Sequence, residues 1–323
     1  MNKADKILSI QYLRGLAALA VVFCHFGFYL TQHPRLDLAL RSGQMGVLVF
    51  FFISGFIIVY SLEQSGYKPT HFFTFLIKRS IRIDPPYWAT IAIYAFLQGY
   101  YSGVGQLVAQ MTYTLPFTHY EFYTHIFWTL CIEFQFYVLI GLLYFLSDSR
   151  VYKTIFLLAF ASITLLHIKR DALIFDHCAV FAFGISFMTF YRNKTWQNAI
   201  LPLLFLVLIA FGVRILESLI LIAVSGIILL PNKKIKPLYF LGNISYSLYL
   251  THSFIGYMCY GMFKRIGIDQ YQILCFGIQL IVAIIFAWLF YLTIEKPSIG
   301  LSKKFSYQRT SRLSVKDSSM QTR

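Results

Sequence analysis

Apolar residues along this chain fall into long blocks broken by short polar stretches. Crossing a bilayer as a helix takes about 20 predominantly apolar residues. Blocks of roughly that kind can be drawn at about 7–30, 44–62, 84–100, 125–147, 152–168, 172–190, 198–213, 215–231, 239–261 and 272–294. The pattern predicts an all-α polytopic membrane protein with about ten transmembrane helices. Only Arg214 and Glu217 interrupt the seventh and eighth blocks, and two short spans fit the downstream charges better than one long kinked helix. Asp84-Pro85-Pro86 is expected to end any helix that precedes it.

Lysine and arginine set the orientation. With the N-terminus inside, the inner loops and tail hold about 20 of them and the outer loops about 7, which is the positive-inside bias. Both termini are therefore expected in the cytoplasm. Residues 1–297 read as one integral-membrane domain, and 298–323 as a basic, Ser-rich, disordered tail facing lipid. The longest outer loop runs from about Tyr101 to Thr124 and is rich in aromatics.

Composition strengthens this picture and removes others. The 323 residues are 58% hydrophobic and only 13% charged, whereas a soluble domain carries about 25% charge. A net charge of +15 would suggest nucleic acid in a soluble chain; lying here in loops and tail, it points to membrane orientation, and no nucleic acid partner is expected. The first apolar block is too long for a cleaved signal peptide, and no small-residue cleavage site follows it. The five cysteines are scattered singly through apolar runs without metal spacing, so they read as packing residues, and no metal is expected. No internal repeat is visible, which lowers the expectation of a repeat-built transporter.

The candidate chemistry lies in polar residues inside the blocks. Leu8 to Leu30 contains Arg14 and His25, eleven positions apart, hence on one helical face and roughly 16 Å apart along the axis. Ionisable groups inside a membrane are functional hypotheses by default, and two on one face suggest a buried path across it. A snorkelling arginine and a structural histidine satisfy the same pattern. Glu133 sits at a depth comparable to His25, so the two could pair, the carboxylate orienting the ring and supporting the imidazolium. Pairing of Glu133 with an arginine or with nearby hydroxyls stays open. Ser54-Gly55 makes a small-residue notch for another helix or a thin substrate arm. Arg79 and Arg82, three apart, form a phosphate-binding fork if helical, or a plain anchor. Tyr246, Tyr249 and His252 form one polar stripe, which fits a substrate-lined cavity. Glu295-Lys296-Pro297 reads as a structural stop at the inner interface.

Together these stretches resemble the membrane-bound acyltransferase 3 family, which includes bacterial O-antigen and exopolysaccharide O-acetyltransferases. The resemblance covers nearly the whole chain in order: LRGLAALAVVFCHF, FFISGFII, KRSIRIDPPYW, FWTLCIEFQFY, LGNISYSLYLTHSF and a final IEKP. It implies ten core helices, an essential Arg14 and His25, a cytoplasmic arginine motif at Arg79 and Arg82 serving acyl-CoA, an acidic position at Glu133, and the Tyr249 and His252 segment. Phe134 stands where many relatives have a second acidic residue, and Ser253-Phe254 replaces a usual proline. An appended extracytoplasmic hydrolase-like domain, present in some relatives, is not expected.

The resemblance implies a multi-pass protein of the bacterial inner membrane that moves an acyl group, acetyl above all, from cytoplasmic acetyl-CoA to a hydroxyl of a glycan or lipid-linked saccharide. His25 and Glu133 would be catalytic. Arg14, Arg79, Arg82 and Ser54 would serve the donor, and Tyr246, Tyr249 and His252 the acceptor. Direct general-base transfer and an acyl-histidine intermediate both fit. Polysaccharide-assembly partners or a second copy of the chain are compatible companions. The competing class is a carrier for an acyl donor or small polar solute, with the same residues lining its pathway.

Overall fold

The structure, a computed structural model, describes residues 7–27, 30, 32–97, 103–168, 172–230 and 233–305. Among the described residues it is all-helical, with no strand. In chain order the helices are α1 (Leu8–Gly27), α2 (Pro34–Arg41), α3 (Gly46–Ser65), α4 (Phe72–Leu97), α5 (Val104–Met111), α6 (Trp128–Leu143) and α7 (Arg150–Ser162). There follow α8 (Cys178–Arg192), α9 (Trp196–Gly212), α10 (Ile215–Leu229), α11 (Lys236–Ile266), α12 (Gln272–Phe290) and α13 (Lys296–Ser302).

Five stretches are long and apolar enough to cross a membrane: Leu8–Gly27, Ala39–Ser65, His125–Leu146, Ile174–Arg192 and Gln272–Ser302. The helices α9 and α10 are apolar but shorter. They are two elements rather than one, because the extended backbone of Arg214 separates them. At 26 and 31 residues, α4 and α11 are also long, and they carry much of the polar machinery described below.

Two apolar clusters hold the bundle. One gathers α3, α6, α7 and α8 around Phe52, Phe56, Phe136, Phe181 and Phe183. The other gathers α1, α4, α11 and α12 around Val22, Phe26, Tyr87, Leu248 and Ala287. Val47, Phe50, Ile83 and Trp128 border both, and the polar residues run along this seam.

The proline pair does not end a helix: α4 runs unbroken through Pro85 and Pro86. Neither proline has an N–H to give the preceding turn. A donor arrives next to that gap from α11, where the Tyr246 hydroxyl bonds the Ile83 carbonyl at 3.0 Å. The consequence is that Arg79, Arg82 and Asp84 ride on one rigid rod.

The stretch expected as an outer loop folds back along that rod. Tyr87 donates to the Gln110 carbonyl at 2.9 Å and Trp88 to that of Met111 at 3.1 Å. Tyr113 is thereby buried, with its hydroxyl 2.8 Å from Asp84. At the other end of the chain, α13 continues the fold past the expected boundary at residue 297. It packs on α4 with Ser298 and Ser302 buried. The remainder of the expected tail, 306–323, lies outside the described residues.

Candidate active site

We call the end of the bundle where α1 begins the lower end. Helices α1 and α11 run parallel and touch along most of their length, which places His25 and His252 together near the upper end. His252 Nε2 lies 3.1 Å from His25 Nδ1. The remaining contacts assign the protons. His252 Nδ1 faces the carbonyls of Tyr249 at 2.8 Å and Leu248 at 3.1 Å. A ring nitrogen between two carbonyl oxygens must carry hydrogen, so the neutral ring keeps its lone pair on Nε2. His25 Nδ1 faces the Val21 carbonyl at 3.0 Å, so it too is an N–H, its single hydrogen shared between that carbonyl and His252 Nε2. The basic nitrogen of His25 is therefore Nε2.

The two rings differ in surroundings. His252 is fully buried, whereas His25 is half-buried and lines a cavity of about 420 Å³ with Cys24, Phe26, Arg41, Gln44, Ser253 and Gly256. The polar stripe of α11 is thus not the cavity wall expected of it. Tyr249 is buried and bonded to Thr129 at 2.7 Å, Tyr246 is bonded to the α4 backbone, and the α11 residues that reach the cavity are Ser253 and Gly256.

Glu133 is not the partner of His25. Its Oε1 accepts from Ser54 Oγ at 2.6 Å and from the Tyr137 hydroxyl. The equal depth expected of the two residues does not hold. The helix α6 starts only at Trp128, after a short 3-10 turn. Thr129 is level with Tyr249, Glu133 is one turn lower and His252 about one turn higher, so roughly 10 Å of height separates carboxylate from dyad.

Glu133 belongs instead to a lower polar cluster. Arg14 lies within electrostatic reach of Arg82, Glu295, Glu133 and Tyr137. Arg79 lies over the rings of Phe75 and Tyr137, at 5.5 and 5.7 Å from their centres. A small cleft is lined by Arg79, Ser80, Asp84, Tyr113, Glu133 and Tyr137. Pairs of opposite sign inside a bundle hold one another where a single charge would be expensive.

Glu295, expected as a stop at the inner interface, is no surface residue. It is buried at the end of a π-helical turn, Tyr291–Glu295, and accepts from the Ser247 amide at 3.1 Å and hydroxyl at 2.5 Å. A carboxylate three residues after Leu292, next to a basic residue and a proline, looks like an interface anchor; only the position of α11 beside it reveals its burial. Such π-turns recur at functional sites.

The Ser54-Gly55 notch divides between two uses. A Cβ on Gly55 would stand 2.5 Å from the Phe181 carbonyl oxygen, so the glycine admits α8 and not a substrate arm. Ser54 faces the other way, onto Glu133.

Among the described residues no group of three His, Cys, Asp or Glu could hold a metal ion. Comparison with known proteins adds two findings. The sequence profile of the family described as "Acyltransferase domain" matches residues 7–292. The chain is also similar to a protein named "Putative acetyltransferase ORF330" from Acidianus two-tailed virus, at 27% identity over 280 residues, 75% of this chain and 81% of that protein. No solved structure matches.

Proposed function

The chain belongs to the acyltransferase family and is a membrane acyltransferase, and from that premise we propose that it carries an acetyl group from acetyl-CoA to a hydroxyl of a glycan or lipid-linked saccharide. In this reading about ten helices cross a bacterial inner membrane, and the lower end and both termini face the cytoplasm. The observation that carries it is the His25–His252 dyad at the edge of a cavity.

The donor enters from below. Arg79 and Arg82 hold the CoA phosphates by charge-assisted bonds, and the uncharged pantetheine arm passes Arg14 toward Tyr249. The acceptor hydroxyl enters the upper cavity. His25 Nε2 takes its proton as the oxygen attacks the thioester carbonyl carbon; the C–S bond then breaks, and the imidazolium returns the proton to the departing sulfur. His252 fills the role expected of Glu133. Its Nε2 accepts from His25 Nδ1–H, holding the ring in the productive tautomer and supporting the imidazolium. Glu133 and Glu295 position Arg14 and Arg82 at the donor end.

Membranes carrying the protein, or His25→Ala at matched abundance, are supplied with acetyl-CoA labelled in the acetyl group and a lipid-linked saccharide. The expected result is base-labile label on the saccharide, falling about 10²- to 10⁴-fold in the variant, the range that loss of a general base gives. Full labelling by His25→Ala overturns the mechanism. Label that crosses sealed vesicles without forming an ester favours the carrier reading.

A further inference from the structure

Acyl transfer makes a second demand that the two imidazoles do not meet. As the acceptor oxygen adds to the thioester carbonyl, negative charge gathers on the carbonyl oxygen, and a preorganised hydrogen-bond donor aimed there is usually the largest single contribution to such catalysis. Ser253 lines the cavity with His25 and follows His252 on α11. Other hydroxyls of α11 turn back onto their own helix: Ser245 donates to the Gly242 carbonyl at 2.9 Å and Thr251 to that of Ser247 at 2.8 Å. Ser253 makes no such bond to any described residue. The reason lies in the dyad. A helical serine folds its hydroxyl onto the carbonyl four residues back, here that of Tyr249. That oxygen accepts the helical N–H of Ser253 and also His252 Nδ1–H at 2.8 Å, which fills its two lone pairs. The contact that fixes the His252 tautomer thus leaves the Ser253 hydroxyl to the cavity. Of the other lining residues with polar hydrogens, Arg41 and Gln44 are exposed, whereas Ser253 is half-buried.

We propose that Ser253 is a further catalytic residue, its hydroxyl the donor that holds the oxyanion of the transfer step. This rests on the acyltransfer reading above. The acceptor oxygen adds to the thioester carbonyl carbon as its proton passes to His25 Nε2, and the carbonyl π pair moves onto oxygen. Ser253 Oγ–H donates to that oxygen and keeps its proton throughout. When the carbonyl re-forms, the C–S bond breaks and the imidazolium protonates the departing sulfur. Two neighbours on one helical turn, about 100° apart around the axis, thus divide the work: His252 steadies the base and Ser253 steadies the charge that the base creates.

The test uses membranes with the wild type, Ser253→Ala, Ser253→Thr or His25→Ala at matched abundance, a lipid-linked saccharide, and two donors labelled in the acyl group: acetyl-CoA and its dithioacetyl analogue, whose C=S sulfur is a weak hydrogen-bond acceptor. Ser253→Ala is expected to lower kcat with acetyl-CoA about 10²- to 10³-fold, the effect of removing one oxyanion donor, with KM for the saccharide little changed. Ser253→Thr keeps the hydroxyl and is expected to retain most of the rate. The wild-type preference for acetyl-CoA over the analogue is expected to shrink in Ser253→Ala by a similar factor, a change that a merely structural loss would not produce. A Ser253→Ala that keeps its kcat, loses rate equally with both donors, or is impaired only in KM for the saccharide overturns the inference and leaves the acyltransfer reading standing, provided that His25→Ala is inactive. If the wild type transfers no label, or His25→Ala transfers as fast as the wild type, the acyltransfer reading fails and this inference with it.

Discussion

At the α1–α11 crossing, a Cβ on Gly242 would overlap the Gln11 carbonyl oxygen, and at the α3–α8 crossing a Cβ on Gly184 would overlap that of Phe52. Both crossings bring two backbones together through facing glycines, Gly15 with Gly242 and Gly55 with Gly184. What flanks the glycines differs. Around Gly55 and Gly184 stand aromatic rings, with Phe52 and Phe183 stacked at 5.2 Å and Phe51 and Phe181 tilted at 5.1 Å. Along α1 and α11 the flanking pairs are polar: Gln11 donates to Asn243 at 2.9 Å below, and His25 meets His252 above. The same close approach sits among aromatic rings in one place and, on the proposed mechanism, scaffolds proton transfer in the other. A notch of small residues therefore marks where backbones meet, and its polar neighbours mark where chemistry follows.

The largest effect that should separate the two crossings is at the dyad. His252→Ala removes the acceptor that orients His25, and transfer should fall about 10²-fold or more, on the scale of an acid–base contribution. The loss should appear in kcat with the KM for acetyl-CoA little changed, a split that general unfolding would not produce.

Next come the glycines. Gly184→Ala and Gly242→Ala each force a methyl against a carbonyl, at about 1–3 kcal/mol for overpacking, visible as lower thermal stability in detergent. Gly184→Ala should leave the activity per folded molecule near normal, whereas Gly242→Ala should lower it, because His252 sits ten residues along the same helix. Equal activity losses in both would remove the distinction between the aromatic crossing and the polar scaffold. The smallest effect lies at the solvent-facing end of the α3–α8 pair. The exposed Arg192–Glu63 pair, at 2.6 Å, should contribute no more than about 1 kcal/mol, so Arg192→Ala should hardly move the melting temperature.

Much of this organisation is legible in the sequence. Arg14 and His25 announce themselves as polar interruptions of an apolar run, and the helix period alone puts them on one face. The separation of α9 from α10 is readable at Arg214. What cannot be read is which interruptions meet. The sequence offers Glu133 as the partner of His25 and leaves His252 in a separate stripe, and a difference of roughly 10 Å in height overturns that pairing, less than the uncertainty in where a span begins. Glu295 hides for a related reason, since a carboxylate near a helix end looks like an anchor until the neighbouring helix covers it. The proline pair misled because the rule it obeys is local, whereas the hydroxyl of Tyr246 comes from 163 residues away.

Between the upper cavity and the lower cluster stands Tyr249, buried, its hydroxyl engaged by Thr129 and its ring set edge-on to Phe50 at 5.6 Å. A bilayer that stores an electrochemical gradient tolerates no hydrated bore, and two polar chambers in one bundle threaten to become one. Under the proposed function, the Tyr249–Phe50 pair would serve as an insulating septum between them. On the proposed route a pantetheine arm that pushes the ring aside fills the gap it opens, so the acetyl group changes sides without an open water path between the two chambers.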